Sequence, residues 1–375
     1  MLKRTITLAI LACLAHAGSA QPLSIPRSPK GLPDSASVGI HLDGSSFFYN
    51  YEYFKPFAEG YTQPGFSLMP TVQASFGSQL LVGGGVHLNK YWGTKPFTEN
   101  TPILFARYQP LKNFYVQVGT IENRDGHLLS DLLYNPLYKI DYRQENGLQL
   151  RYYGSRLFAD AWVSWENYIR QGDNDQERLT AGGSILAQLT PSSSRWEVMI
   201  PLQVVFKHIG GQINDKSDTT KRVHTYSNLS LGIQLAYRYN SRGAKVGLLI
   251  QPIKFGGSFN ASSSLVTKGR SALSSTLFLS SNAVDLKLGC LFGNMVYTIL
   301  GDPIYSSVNV GLAPVAKARN VFTGTFAYHK EVYPGMQFRF DTGCYLDPSY
   351  SGLDYFYGAG ISFQLDRMVK TGSWK

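Results

Sequence analysis

Between Trp196 and Lys207 the chain alternates with a period of two. Trp196, Val198, Ile200, Leu202, Val204 and Phe206 share one face, and Glu197, Met199, Pro201, Gln203, Val205 and Lys207 share the other. Leu229, Leu231, Ile233, Leu235, Tyr237 and Tyr239 repeat the pattern against Ser230, Gly232, Gln234, Ala236 and Arg238. Side chains alternate sides only in an extended strand, so a dyad period held over ten or more residues specifies long strands with two unlike faces. No long stretch carries the 3.6-residue spacing of an amphipathic helix.

The turns between these stretches come in two lengths. Short ones fall near residues 154–155, 190–194, 240–243 and 281–282. Long polar ones fall near 167–176, 208–222 and 256–270. Long strands joined by short turns at one end and long loops at the other predict an all-β fold, a transmembrane antiparallel β-barrel with an apolar outer face and a mixed lumen. Tyr237, Tyr239, Trp165 and Trp196 near strand ends suit the interfacial aromatic girdles. A secreted β-sandwich also alternates, but its strands are shorter and its outer face carries more charge. Counting gives eighteen strands, or sixteen if the weak region Gly293–Ser307 is merged. Either even number puts both termini in the periplasm. Within the barrel, a two-residue turn at Gly154–Ser155 predicts Tyr152 opposite Leu157, Leu150 opposite Ala159 and Gln149 opposite Asp160.

Composition agrees. Charged residues make up 16%, against roughly 25% in an average soluble domain. Aromatics reach 13%, which excludes a disordered chain. Three Cys in 375 residues exclude a disulfide scaffold. The N-terminus reads as a signal peptide over residues 1–20: basic Lys3 and Arg4, an apolar run Thr5–Leu14, then Gly18-Ser19-Ala20 before Gln21. Ile10-Leu11-Ala12-Cys13 only partly fits a lipoprotein box. Residues 21–34 then form a periplasmic N-terminal segment, 35–365 the outer-membrane barrel and 366–375 a C-terminal tail. That tail is expected to hang in the periplasm or to dock Trp374 inside. No stretch of 18 apolar residues follows the leader, so no helical anchor is expected.

The last strand, Gly358-Ala359-Gly360-Ile361-Ser362-Phe363-Gln364-Leu365, is similar to the barrel-assembly signal of bacterial outer-membrane proteins, except that ten residues follow it. With Gln21, the aromatic run Phe47-Phe48-Tyr49-Asn50-Tyr51-Glu52-Tyr53 and Gly83-Gly84-Gly85-Val86-His87-Leu88, the chain resembles porin-like outer-membrane barrels of Gram-negative bacteria, particularly Bacteroidota. The resemblance covers most of the mature chain and implies a location in the outer membrane more than a cargo.

Motifs for catalysis are absent: no H-E-x-x-H, G-x-S-x-G, C-x-x-C or phosphate-binding loop. No enzyme activity, cofactor or metal is therefore expected, and His87 reads as a polar wall residue. Cys290 and Cys344 read as small lipid-facing residues on strands that do not pair.

Function is expected on the lumen face. By parity Arg107, Arg151, Arg195, Lys207, Arg238, Lys245, Lys287 and Arg339 point inward, with Asp160, Glu166, Glu197, Asp285 and Asp341. Charge belongs there because Arg or Lys facing mid-membrane lipid costs roughly 2–4 kcal/mol. Rings of charge bias ion selectivity, and this excess of basic groups predicts a mild anion preference. Cross-strand pairing is the competing role, Arg339 with Asp341 above all. Two loops stand apart: an aromatic first loop, 44–65, offering Phe47, Phe48, Tyr49, Tyr51 and Tyr53 for constriction or cargo, and 121–146, with Arg124, Lys139, Arg143, several Leu and Tyr142; the expectation is either that 121–146 folds inward or that the two loops pack on each other as an extracellular cap.

The leading expectation is a channel for passive passage of small hydrophilic solutes. The alternatives are a closed barrel acting in an outer-membrane or cell-surface complex, and a transporter of apolar cargo. Expected partners are outer-membrane lipid and lipopolysaccharide, with a surface lipoprotein or another outer-membrane protein as further candidates. Nucleic acid is not expected, and nothing in the sequence fixes the oligomeric state.

Overall fold

A computed structural model describes residues 23–29, 31–141, 143–210, 223–240, 243–257, 270–308 and 315–370. The expected signal peptide, Cys13, Tyr142 and Trp374 lie outside them.

The strands are β1 (Ser37–Glu52), β2 (Tyr61–Phe76), β3 (Leu80–Tyr91), β4 (Glu99–Leu111), β5 (Phe114–Thr120), β6 (Asn146–Tyr153), β7 (Leu157–Asn167), β8 (Arg178–Gln188) and β9 (Trp196–Ile209). They continue with β10 (His224–Leu231), β11 (Ile233–Arg238), β12 (Lys245–Gly256), β13 (Ser271–Ser280), β14 (Val284–Asn294), β15 (Ala318–Tyr333), β16 (Met336–Leu346) and β17 (Asp354–Lys370). Neighbours in chain order pair antiparallel, except that β10 and β11 do not pair with each other, and β1 closes on β17 from Ser37↔Lys370 to Glu52↔Tyr355.

β10 and β11 are two halves of one wall strand. Both pair with β9 and with β12 in unbroken register. The break falls at Gly232, which donates to Pro201 O at 2.8 Å and receives nothing back, because proline has no N–H. The wall is thus a closed barrel of sixteen strands. Of the stretches 294–300 and 303–311, counted as strands in the eighteen-strand reading, only Asn294 belongs to the wall, as the end of β14; residues 295–300 and 303–308 do not extend it, and 309–311 lie outside the described residues. Residues 295–308 enter the lumen with a single 3₁₀ turn at Pro303–Tyr305. Val296, Leu300 and Ile304 are apolar because they pack inside the barrel, not because they face lipid, and Met295 beside them is buried too.

The outer face is apolar where the period requires it: Leu202, Phe206, Leu229, Leu231, Leu277, Leu288 and Phe322 all lie exposed to the bilayer. Cys290 and Cys344 are free, on β14 and β16, with β15 between them.

Three boundaries differ from expectation. The aromatic run is not a loop: β1 continues to Glu52, and Phe47, Tyr49 and Tyr51 point inward while Phe48 faces lipid. The barrel does not stop at residue 365, since Asp366–Lys370 continue β17 against β1. The β6–β7 hairpin pairs Arg151 with Asp160 and Leu150 with Ala161, two residues from the expected register, around a longer turn. A slip of two leaves every side chain on its own face, so the matching of apolar with apolar residues could not detect it.

The lumenal plug as candidate functional site

A barrel of sixteen strands leaves a wide lumen. Here two inward segments, 121–145 and 295–308, bridge it. They join each other through Asn135 N–H to Leu300 O at 2.7 Å and Asp302 N–H to Asp131 O at 3.1 Å. Leu129, Leu132, Leu133 and Tyr134 from the first, and Val296, Leu300 and Ile304 from the second, form one hydrophobic core with Phe47, Tyr49, Tyr51, Trp162, Val205, Ile253 and Phe356 of the wall. A core inside a membrane barrel needs apolar inward residues, and β1 supplies them as every second aromatic.

Irregular backbone at membrane depth must have its N–H and C=O groups satisfied from within the protein. Wall amides do this. Gln149 accepts from Glu122 N at 2.9 Å and donates to Glu122 O at 2.8 Å. Gln203 accepts from Ser130 N at 3.3 Å and donates to Leu128 O at 2.7 Å. Asn228 donates to Tyr297 O at 2.8 Å and accepts from Ile299 N at 2.9 Å. At the short-turn end Gln234 brackets Leu23 in the same way, at 3.1 and 2.9 Å, so the N-terminal segment also enters the barrel. Leu23 and Ile25 pack there beside Phe158, Leu186 and Met199.

Ion pairs fix the plug laterally. Arg107 holds Glu122 at 2.8 Å, Arg151 holds Asp125 and Asp160, each at 2.8 Å, and Lys287 lies 3.5 Å from Asp131. Arg124 pairs with Asp43. Glu166 takes Lys207 at 2.9 Å and Arg143 at 3.2 Å, and the Arg143 guanidinium also lies 4.5 Å over the Tyr138 ring. Arg319, fully buried, pairs with Asp347, donates to Ile304 O and lies 3.5 Å over the Phe57 ring.

His127 sits at the centre. Its Nδ1 is 2.9 Å from Asp160 and its Nε2 3.0 Å from Glu145, while the ring stacks on Trp162 at 4.3 Å. Burial alone would lower its pKa, but the Glu145 and Asp160 carboxylates outweigh burial and raise it to about 9. Both ring nitrogens are therefore occupied by an imidazolium held between carboxylates, which leaves no free nitrogen to act as a base. The backbone at His127 and Leu128 is left-handed, with φ of 55° and 52°, a strain that the surrounding contacts maintain. In the second segment burial raises Asp302 to about 7.

Seven of the eight inward basic residues meet carboxylates. Besides those above, Arg238 and Lys245 share Glu197, at 2.6 and 3.1 Å, and Arg339 lies 2.7 Å from Asp341, which also accepts from the Tyr49 hydroxyl at 2.6 Å. Asp285 takes His329 at 3.2 Å. Arg195 lies exposed at the short-turn rim, beside the Tyr237 hydroxyl. Lys139 lies against Gly126, and burial pushes it below the ordinary lysine range. Tyr53 packs edge-on against Tyr345 at 5.9 Å. His87 is buried with Nε2 2.7 Å from Ser67 Oγ.

Parity thus located the charges but missed their partners on the plug, and it missed the bracketing amides altogether. A glutamine or asparagine in mid-strand on the lumen side, as at 149, 203, 228 and 234, is the signal that reveals them.

These features define a porin-like β-barrel of the outer membrane. The fold is similar to that of the outer-membrane protein OprD from Pseudomonas aeruginosa, with TM-score 0.51 and 11% identity over 95% of this chain and 100% of that one. Pseudomonas aeruginosa OpdL gives 0.52 and 12% over 88% and 99%. OccK2 (OpdF) of the same organism, solved in complex with glucuronate, gives 0.51 and 12% over 90% and 100%. By sequence the chain belongs to the lipid A 3'-O-deacylase-type family, whose model matches residues 31–371. No curated protein matches it.

Proposed function

We propose that the protein is a gated outer-membrane channel for small hydrophilic solutes, seen here closed. The observation that carries this reading is a porin-like wall whose lumen is bridged by non-strand segments held through side-chain brackets and ion pairs, contacts that can release without breaking the barrel. Anion preference is expected to be weak, because carboxylates on wall and plug offset the inward Arg and Lys.

Planar-bilayer conductance tests it. Wild type should give small, intermittent openings. A disulfide between Ser130→Cys and Gln203→Cys, which ties plug to wall, should abolish them, and reduction should restore them. Openings unaffected by the lock would place the path elsewhere. No conductance in folded, heat-modifiable wild type or in a variant lacking residues 123–144 would leave a closed barrel.

Family membership favours a second reading, removal of an acyl chain from lipid A. The ring of His127 is occupied, but buried His87, with Nε2 2.7 Å from Ser67 Oγ and Nδ1 3.9 Å from Glu99, offers that chemistry a histidine base beside a serine hydroxyl. Mass analysis of lipid A incubated with the refolded protein decides it: loss of one acyl chain establishes the activity, and unchanged lipid A removes it.

A further inference from the structure

The wall bears a groove of about 670 Å³ on its outer, lipid-facing side, at the long-loop end of β10 and β12–β15. Two register rows line it. One runs Leu229, Lys254, Ser271, Asn294 and Ala318 across successive strands. The next, one step toward the membrane centre, contains Leu231, Pro252, Leu273, Phe292 and Asn320. Lys254, Ser271 and Asn294 make the middle of the outer row polar, while the inner row is mainly apolar, with Leu231, Leu273 and Phe292 each about half exposed. Elsewhere outward Leu and Phe side chains stand against the bilayer; here Pro252, Ser271 and Ala318 are too small to fill the surface.

We propose that this groove seats an acyl chain of an outer-leaflet lipid, with the lipid's phosphate held at Lys254. Long loops mark the extracellular end of such barrels, so the polar row lies at headgroup depth and the apolar row at acyl depth. At that depth a lysine costs only about 0–1 kcal/mol, against several at the midplane. Lys254 is exposed and makes no ion pair with a described residue. A cation above an apolar trough matches a molecule with an anionic head and an apolar tail. A second copy related by a twofold axis would bring Lys254 toward its own counterpart, which like-charge repulsion disfavours. The inference concerns the outer wall and does not depend on conduction through the lumen.

The test is native mass spectrometry of the full-length protein released from nanodiscs of mixed phosphatidylglycerol and phosphatidylcholine. Wild type should retain one phosphatidylglycerol. Lys254→Gln should lower that occupancy at least fivefold, and Leu273→Trp, which fills the trough without changing charge, should do the same. Lys330→Gln, at the opposite rim, should leave it unchanged, with heat modifiability confirming the fold of every variant. Equal retention of both lipids by wild type, unchanged retention in either groove variant, or a protein dimer in place of bound lipid would overturn the proposal.

Discussion

The imidazolium of His127 is the contact on which the plug most depends, and its removal has a calculable effect. His127→Asn removes the cation yet tolerates the left-handed backbone, since asparagine adopts positive φ more readily than most residues. Asp160 keeps Arg151 at 2.8 Å, but Glu145 keeps only one hydrogen bond, from the Tyr134 hydroxyl at 2.9 Å, and the more distant charge of Arg143. Stripping the partner from a buried charge costs about 3–5 kcal/mol. Taking the low end for a group that retains one hydrogen bond, about 3 kcal/mol corresponds to a roughly hundredfold rise in plug opening. Hydrogen exchange at Leu133 and Tyr134, whose amides donate to Ser130 O at 2.8 and 2.9 Å, reads this directly. Their protection should fall about a hundredfold while wall amides in β7 and β9 stay protected. Adding Glu145→Gln, which removes the stranded charge, should recover part of the loss. The pH dependence has a definite sign. His127 has a folded pKa raised to about 9 from an ordinary 6.5, so its contribution is complete below about 6.5 and is lost as pH rises through 9. Wild-type plug protection should therefore weaken between pH 7 and pH 10, and the Asn variant should lack that dependence. Unchanged plug exchange in a folded His127→Asn barrel would refute the latch.

Three further outcomes are expected. Arg319→Met strands Asp347 and frees the carbonyl of Ile304, so heat modification should occur at lower temperature, and a second change, Asp347→Asn, should reverse much of the shift. Gly147→Val puts a side chain into the Val163 carbonyl across the β6–β7 pair and should abolish the heat-modifiable folded band, whereas Gly31→Ala, with open space around it, should not. A lipid-soluble maleimide should label both Cys290 and Cys344 on the folded barrel without prior reduction, while a membrane-impermeant one should label neither.

Much of the architecture is legible in the chain. The dyad period places Leu202, Leu229 and Leu288 against lipid and Gln203, Lys245 and Asp285 inside, because a strand's two faces are fixed by parity alone. The alternation of short and long turns orients the barrel, and the weak stretch Gly293–Ser307 marks where the wall pattern fails. Parity says nothing of partners, however. It gives the same face for registers two residues apart, which is why the β6–β7 pairing slipped. It gives Arg151 and Lys287 as inward cations without Asp125 and Asp131, because those acids lie on a segment with no period.

What the sequence by itself determined is therefore the wall: strand period, closure at sixteen strands as one of two even counts, and the sorting of apolar and charged residues between lipid and lumen. The tertiary structure alone decided the lumen. Whether residues 121–145 and 295–308 fold in depends on contacts between residues about 70 to 165 positions apart, Gln203 to Leu128, Asn228 to Ile299 and Asn135 to Leu300 among them. Such contacts exist only once the sheet has closed and brought its polar face round a common axis, so no local pattern encodes them.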